Sequence, residues 1–134
     1  MKVMTLDGIE YDWNIPSKIA KGNKRETSSL HTIAKKILHE LYPMLNIYEE
    51  IPLIVEKNKK LYLDFYIPSI QTAIEVNGKQ HYSFNTFYHR NQIHFMKMKM
   101  NDRKKAEWCE HNKITLKILP YNMVEKWRNI INDS

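Results

Sequence analysis

One cysteine, three glycines and five prolines in 134 residues leave little room for several kinds of protein. A lone Cys109 cannot form an internal disulfide, so this is no disulfide-stapled secreted module, and a reducing compartment such as the cytoplasm is expected. So few glycines and prolines exclude a collagen-like or low-complexity chain. No apolar run approaches the roughly 18 residues a membrane span needs, so no membrane partner is expected. The first residues, MKVMTLDGIEYDW, carry early acids and no apolar core, and do not read as a signal peptide. What is present is a hydrophobic fraction of 43%, enough for one packed core but not two. The formal charge is +6, which favours polyanions and above all nucleic acid. The basic excess is concentrated in residues 83–108, where Arg90, Lys97, Lys99, Arg103, Lys104 and Lys105 face only Asp102 and Glu107.

The pattern predicts a single domain over 1–134, with an N-terminal extension (1–28), a core (29–122) and a C-terminal helix (123–134). Residues 1–16 suit a hairpin around Asp7-Gly8, with Tyr11, Trp13 and Ile15 on one side. Residues 17–28 read as a polar loop. Ser28 or Ser29 can cap a helix over about Leu30 to Tyr42, with Leu30, Ile33, Ala34, Ile37, Leu38 and Leu41 at helical spacing and Pro43 as its stop. Three strands follow: Ile47 to Val55, Leu61 to Ile67 and Thr72 to Asn77, closed by Gly78. A loop over 82–90, a helix from about Asn91 to His111, a strand from Ile114 to Leu119 and a short helix around Val124 to Ile131 complete the order. Ile93, Met96 and Met100 recur at helical spacing and are expected in the core. The whole predicts an α/β or α+β fold, a mixed β-sheet flanked by helices.

The turn Pro68-Ser69-Ile70-Gln71 sets a register. It pairs Phe65 with Ile74, Leu63 with Val76 and Ile67 with Thr72 on an apolar face. On the other face it sets Asp64 opposite Glu75 and Tyr62 opposite Asn77. Two carboxylates facing each other, with Cβ atoms about 4.5–5.5 Å apart, repel unless a cation or proton lies between them. A divalent cation answers this. Mg²⁺ takes one or two carboxylates and keeps waters for phosphate chemistry. A solvated face on which two acids happen to pair is the plain alternative.

Residues 62–82 read YLDFYIPSIQTAIEVNGKQHY. With Ser29-Leu30-His31, Asp102-Arg103, Lys105 and Trp108-Cys109-Glu110 in order around it, this stretch resembles the PD-(D/E)XK nuclease superfamily. The resemblance is to its very-short-patch-repair-like and homing-endonuclease-like branch, and to small phage-encoded endonucleases within it. It covers roughly 28–122 and implies a restriction-endonuclease-like core and Mg²⁺-dependent hydrolysis of DNA, with Mn²⁺ substituting. On that resemblance Asp64 and Glu75 are metal ligands and the peptide carbonyl of Val76 a third. The usual lysine two positions after the second acid is Asn77 here, and the usual proline before the first acid is Leu63. Lys79, Gln80 or Lys105 could stand in for the lysine, with Gln80 and His81 the first choices. His31 is expected as a proton shuttle, or else as a surface or capping histidine, and one of Glu49 and Glu50 could face the site. Asp102 and Lys105 share a helical face with Met98 and Cys109 that could point at the catalytic end, or form a surface ion pair.

Arg90, Lys97, Arg103, Lys104 and Lys105 are the candidate DNA-backbone contacts. The aromatics Tyr82, Phe84, Phe87 and Tyr88 could stack on bases or pack in the core. His81, His89, His94 and His111 with Cys109 match no zinc framework closely. Rival readings are a catalytically degenerate nuclease fold that binds nucleic acid, and a module whose basic face meets an acidic protein. A homodimer, or a phage or host protein partner, is compatible with the first reading.

Overall fold

The structure is a computed structural model that describes residues 1–15, 29–82, 84 and 92–133. It is a mixed α+β fold. A two-stranded hairpin, β1 (Lys2–Met4) and β2 (Glu10–Asp12), precedes helix α1 (Ser29–Leu41). Strands β3 (Tyr48–Glu56), β4 (Lys59–Ile67) and β5 (Thr72–Asn77) form a meander. Helix α2 (Gln92–His111) leads to β6 (Thr115–Pro120), and α3 (Trp127–Asn132) closes the order. The main sheet runs β3-β4-β5-β6, antiparallel at the first two junctions and parallel at the last. A parallel neighbour needs a long crossover, and α2 lies in that connection. The expected loops over 17–28 and 82–90 fall outside the described residues, apart from Tyr82 and Phe84. No helix among the described residues is long and apolar enough to cross a membrane.

Both sheet faces are covered. On one, Trp108 and Cys109 of α2 and Trp13 pack with Ile51, Leu53, Val55, Leu63, Tyr66 and Ala73. On the other, Ala34, Ile37 and Leu38 of α1 and Trp127 and Ile131 of α3 pack with Phe65, Ile67, Ile74 and Leu119. Leu38 is fully buried there. Leu38→Ala should cost about 3 kcal/mol in urea unfolding, because the lost contacts leave a cavity that neighbours only partly fill.

The N-terminal hairpin dresses the edge strand. Leu6 N–H donates to the Val55 carbonyl at 2.7 Å and Trp13 Nε1 to the Pro52 carbonyl at 2.9 Å. An open strand edge is thus given partners, and Pro52 sits where an edge tolerates it.

One residue of α1 and one apolar stripe of α2 differ from expectation. Ile33 of α1 is 39% exposed, and Ile93, Met96 and Met100 of α2 are 64%, 66% and 52% exposed. Only Trp108 and Cys109 of α2 are buried. Among the described residues nothing covers the outer face of its first three turns, so periodicity there does not translate into core.

Candidate active site

Strands β4 and β5 pair as the turn dictates from Ile67 and Thr72 to Phe65 and Ile74, and there the ladder ends. The expected ladder pairs Asp64–Glu75, Leu63–Val76 and Tyr62–Asn77 do not form. Backbone groups leaving a ladder must find other partners, and here the acids supply them. Val76 N–H donates to Asp64 Oδ2 at 2.8 Å, and Asp64 N–H to Glu75 Oε1 at 3.3 Å. Each strand's acid therefore accepts from the other strand's backbone, and the two carboxylates are held together where the strands part.

An irregularity in the adjoining strand coincides with the opening. Glu50 in β3 has a left-handed backbone, φ 48°, a conformation that costs a non-glycine residue roughly 1 kcal/mol or more. It breaks the in–out alternation. Glu49 and Phe65 are register partners on the α1 side, whereas the next partners, Ile51 and Leu63, belong to the Trp108 core. Leu63 therefore lies on the opposite face from Phe65, Ile74 and Val76, contrary to a regular strand. Asp64 sits at the switch.

Glu75 is buried, 6% exposed. Lys105 of α2 places Nζ 3.3 Å from both its oxygens. Burial first, and the Asp64 charge second, push the Glu75 carboxyl up to about 8, with Lys105 opposing them. At neutral pH the acid therefore keeps its proton, and the Lys105 contacts are longer than the roughly 2.7–2.9 Å of a tight charge-assisted bond. One turn further along α2, burial and then the Glu75 charge push the Cys109 thiol up to about 12. Such a thiol is packing, not nucleophile or metal ligand.

Beside the pair lies a cavity of about 390 Å³, lined among others by Glu50, Asp64, His81, Asn101, Asp102 and Lys105. His81 follows β5 in a short 3₁₀ turn, Lys79–His81. Its Nδ1 lies 2.8 Å from Asp102 Oδ2. Asn101 Oδ1 is buried with no hydrogen-bond partner.

The other expected site residues are placed as follows. Gln80 does not line the cavity; its amide folds over Gly78, where a Cβ would meet Oε1 at 2.5 Å. His31 is buried elsewhere, stacked on Phe65 at 4.4 Å between centroids and 3.3 Å from Glu49 Oε1, so it is neither a surface histidine nor part of the cavity. Glu49 thus faces α1, and Glu50 faces the cavity. Asn77 is β5's last residue, its carbonyl accepting from Tyr121 N–H at 2.9 Å. Lys79, Lys97 and Arg103 are exposed. Lys104 pairs with Glu56 at 2.9 Å instead of standing free for phosphate, and Lys105 is turned to Glu75. Arg90 and His89 lie outside the described residues.

Among the described residues no group of three or more His, Cys, Asp and Glu stands ready to hold a metal. The donor set nevertheless fits one hard cation. Two carboxylates pressed together, one of them holding its proton to about 8, form an oxygen site whose repulsion Mg²⁺ or Mn²⁺ would relieve. Asp64 and Glu75 are the carboxylates that would hold it, with Val76 the adjoining peptide.

Two viral proteins are similar in sequence. The uncharacterized protein 033L of Invertebrate iridescent virus 3 is 40% identical over 63 residues, 47% of this chain and 32% of that protein. The uncharacterized protein 307L of Invertebrate iridescent virus 6 is 35% identical over 66 residues, 49% of this chain and 34% of that protein. The matched segment spans about a third of these relatives. No protein family and no solved structure matches the chain.

Proposed function

We propose that this chain is a divalent-metal-dependent DNA endonuclease of the PD-(D/E)XK type, encoded by a phage or virus and acting in the host cytoplasm. The observation that carries this reading is the parting of β4 and β5 at two acids that each accept a hydrogen bond from the other strand's backbone, with His81, Asp102 and Lys105 around the adjoining cavity. A cation held by Asp64, Glu75 and Val76 would neutralise phosphate charge and acidify a water. The remaining work falls to side chains. With its Nδ1–H donated to Asp102, His81 keeps Nε2 as the proton acceptor for that water. Asp102 fixes the tautomer and steadies the ring once it is charged. Lys105 supplies the ammonium that Asn77 does not. Exposed Lys97 and Arg103 are left for backbone phosphates.

Cleavage of supercoiled plasmid and branched DNA, with Mg²⁺ or Mn²⁺ and with EDTA, tests the reading. Wild type should cut only with metal. His81→Ala should lower the single-turnover rate about a hundredfold, the low end for a lost general base, with DNA affinity retained. Asn77 in the lysine's place favours a second reading, a degenerate nuclease fold that only binds nucleic acid. Tight binding without cleavage under any divalent metal would select it.

A further inference from the structure

On α2, Lys104 is half-buried but pairs with a Glu56 side chain that is 34% exposed, and Lys97, Lys99 and Arg103 are exposed. Lys105 is not. Its side chain is 16% exposed and that of Glu75 is 7%. A lysine normally buries its stem and keeps its ammonium wet. Here the ammonium is brought in, equidistant from both oxygens of one buried acid and at the wall of the cavity that Asp64 lines. Around Glu75 the described groups are Lys105, Asp64 and the Cys109 thiol, so Lys105 is the cation of the set.

We infer that Lys105 is an internal counter-cation that holds the acid pair in the metal-free protein and is displaced into the cavity when a divalent cation binds. The inference rests on the nuclease reading. Two carboxylates and one divalent cation are already neutral, so a third positive centre at contact distance becomes surplus in a poorly solvated site. A lysine can answer by moving: it is a compact charge on a flexible four-carbon stem, and a cavity of about 390 Å³ adjoins it. Released there, the ammonium meets the phosphate that the cation recruits. Metal and the Lys105–Glu75 contact then compete, and competition is reciprocal. Taking the lysine away must tighten the metal.

Mn²⁺ alone, titrated calorimetrically into DNA-free protein, tests this. Lys105→Met should bind Mn²⁺ about tenfold more tightly than wild type, and Lys105→Arg no more tightly. A second measurement needs no variant. Wild type is treated with an acylating reagent, and Lys105 modification is followed by peptide mass spectrometry. Saturating Mn²⁺ should speed labelling of Lys105 several-fold while leaving Lys97 unchanged. Equal or weaker Mn²⁺ binding by Lys105→Met, or Lys105 labelling that stays level or slows in a wild type shown to bind Mn²⁺, overturns the inference alone. A wild type that takes up no Mn²⁺ overturns the nuclease reading beneath it.

Discussion

Asparagine at position 64 should cut metal-dependent DNA cleavage about a thousandfold or more while leaving the fold in place. The scale is that of removing a charge that acts directly on the reacting centre. Asparagine is the informative choice because of what Asp64 does locally. Its Oδ2 accepts the Val76 N–H that the broken ladder leaves unpaired, and an amide oxygen accepts equally well. The strand opening therefore survives, and only the charge is lost. Alanine removes both, mixing a folding effect with the chemical one. Without metal, Asp64→Asn should be at least as stable as wild type at pH 8, since it relieves repulsion with Glu75, a trade common at functional sites. Single-turnover nicking of plasmid, Mn²⁺ titration and urea unfolding together make the measurement. Cleavage that still needs metal and runs at the wild-type rate in Asp64→Asn would remove Asp64 from the site.

What could be read in the sequence depended on how local the cause was. The four residues from Pro68 to Gln71 determine their own turn, and the register from Phe65 to Ile67 follows from them. Pro43 and the spacing of Ala34, Ile37 and Leu38 are equally local, so α1 was legible to within a residue. The opening at Asp64 was not. It coincides with the backbone of Glu50 in a third strand, and strand alternation presumes that no such break occurs. For the same reason Leu63 was expected beside Phe65 and lies on the other face. The stripe Ile93, Met96 and Met100 has a core's spacing, but spacing cannot report whether anything stands opposite. The acid pair and the shared helical face of Asp102 and Lys105 were visible. The pairing of His81 with Asp102 joins residues 21 apart on two elements, and only the packing of α2 against the turn after β5 makes it. The resemblance puts Gln80 and His81 ahead of Lys105 as the lysine's substitute; in the fold the Gln80 amide lies over Gly78, while Lys105 Nζ lies 3.3 Å from both Glu75 oxygens, a proximity between elements that the sequence does not display.

Metal-free protein should lose stability as pH rises from about 5 to about 8, against the usual trend for carboxylates. The sign follows from Glu75. Its carboxyl titrates near 4.5 in an unfolded chain and near 8 in the fold, chiefly through burial and then through Asp64. Between those values the native state binds the extra proton, so each rise in pH favours unfolding. Below about 4.5 both states are protonated at this site and the contribution is fully present; above about 8 it is gone. A window of about 3.5 pH units at roughly 1.4 kcal/mol per unit caps the loss at about 5 kcal/mol. Other groups titrate in the same range, so the quantity to measure is the difference between wild type and Glu75→Gln. In EDTA that difference should fall steadily from pH 5 to 8, with the variant nearly flat by comparison. Saturating Mn²⁺ should abolish the fall in wild type, because the cation takes over from the proton, and should do little for Glu75→Gln. A wild-type curve that is level or rising relative to the variant in EDTA would mean that Glu75 is ionised in the folded protein at neutral pH. The proton on Glu75 would then not be what a bound cation replaces, and the pH-dependent part of the metal effect would disappear.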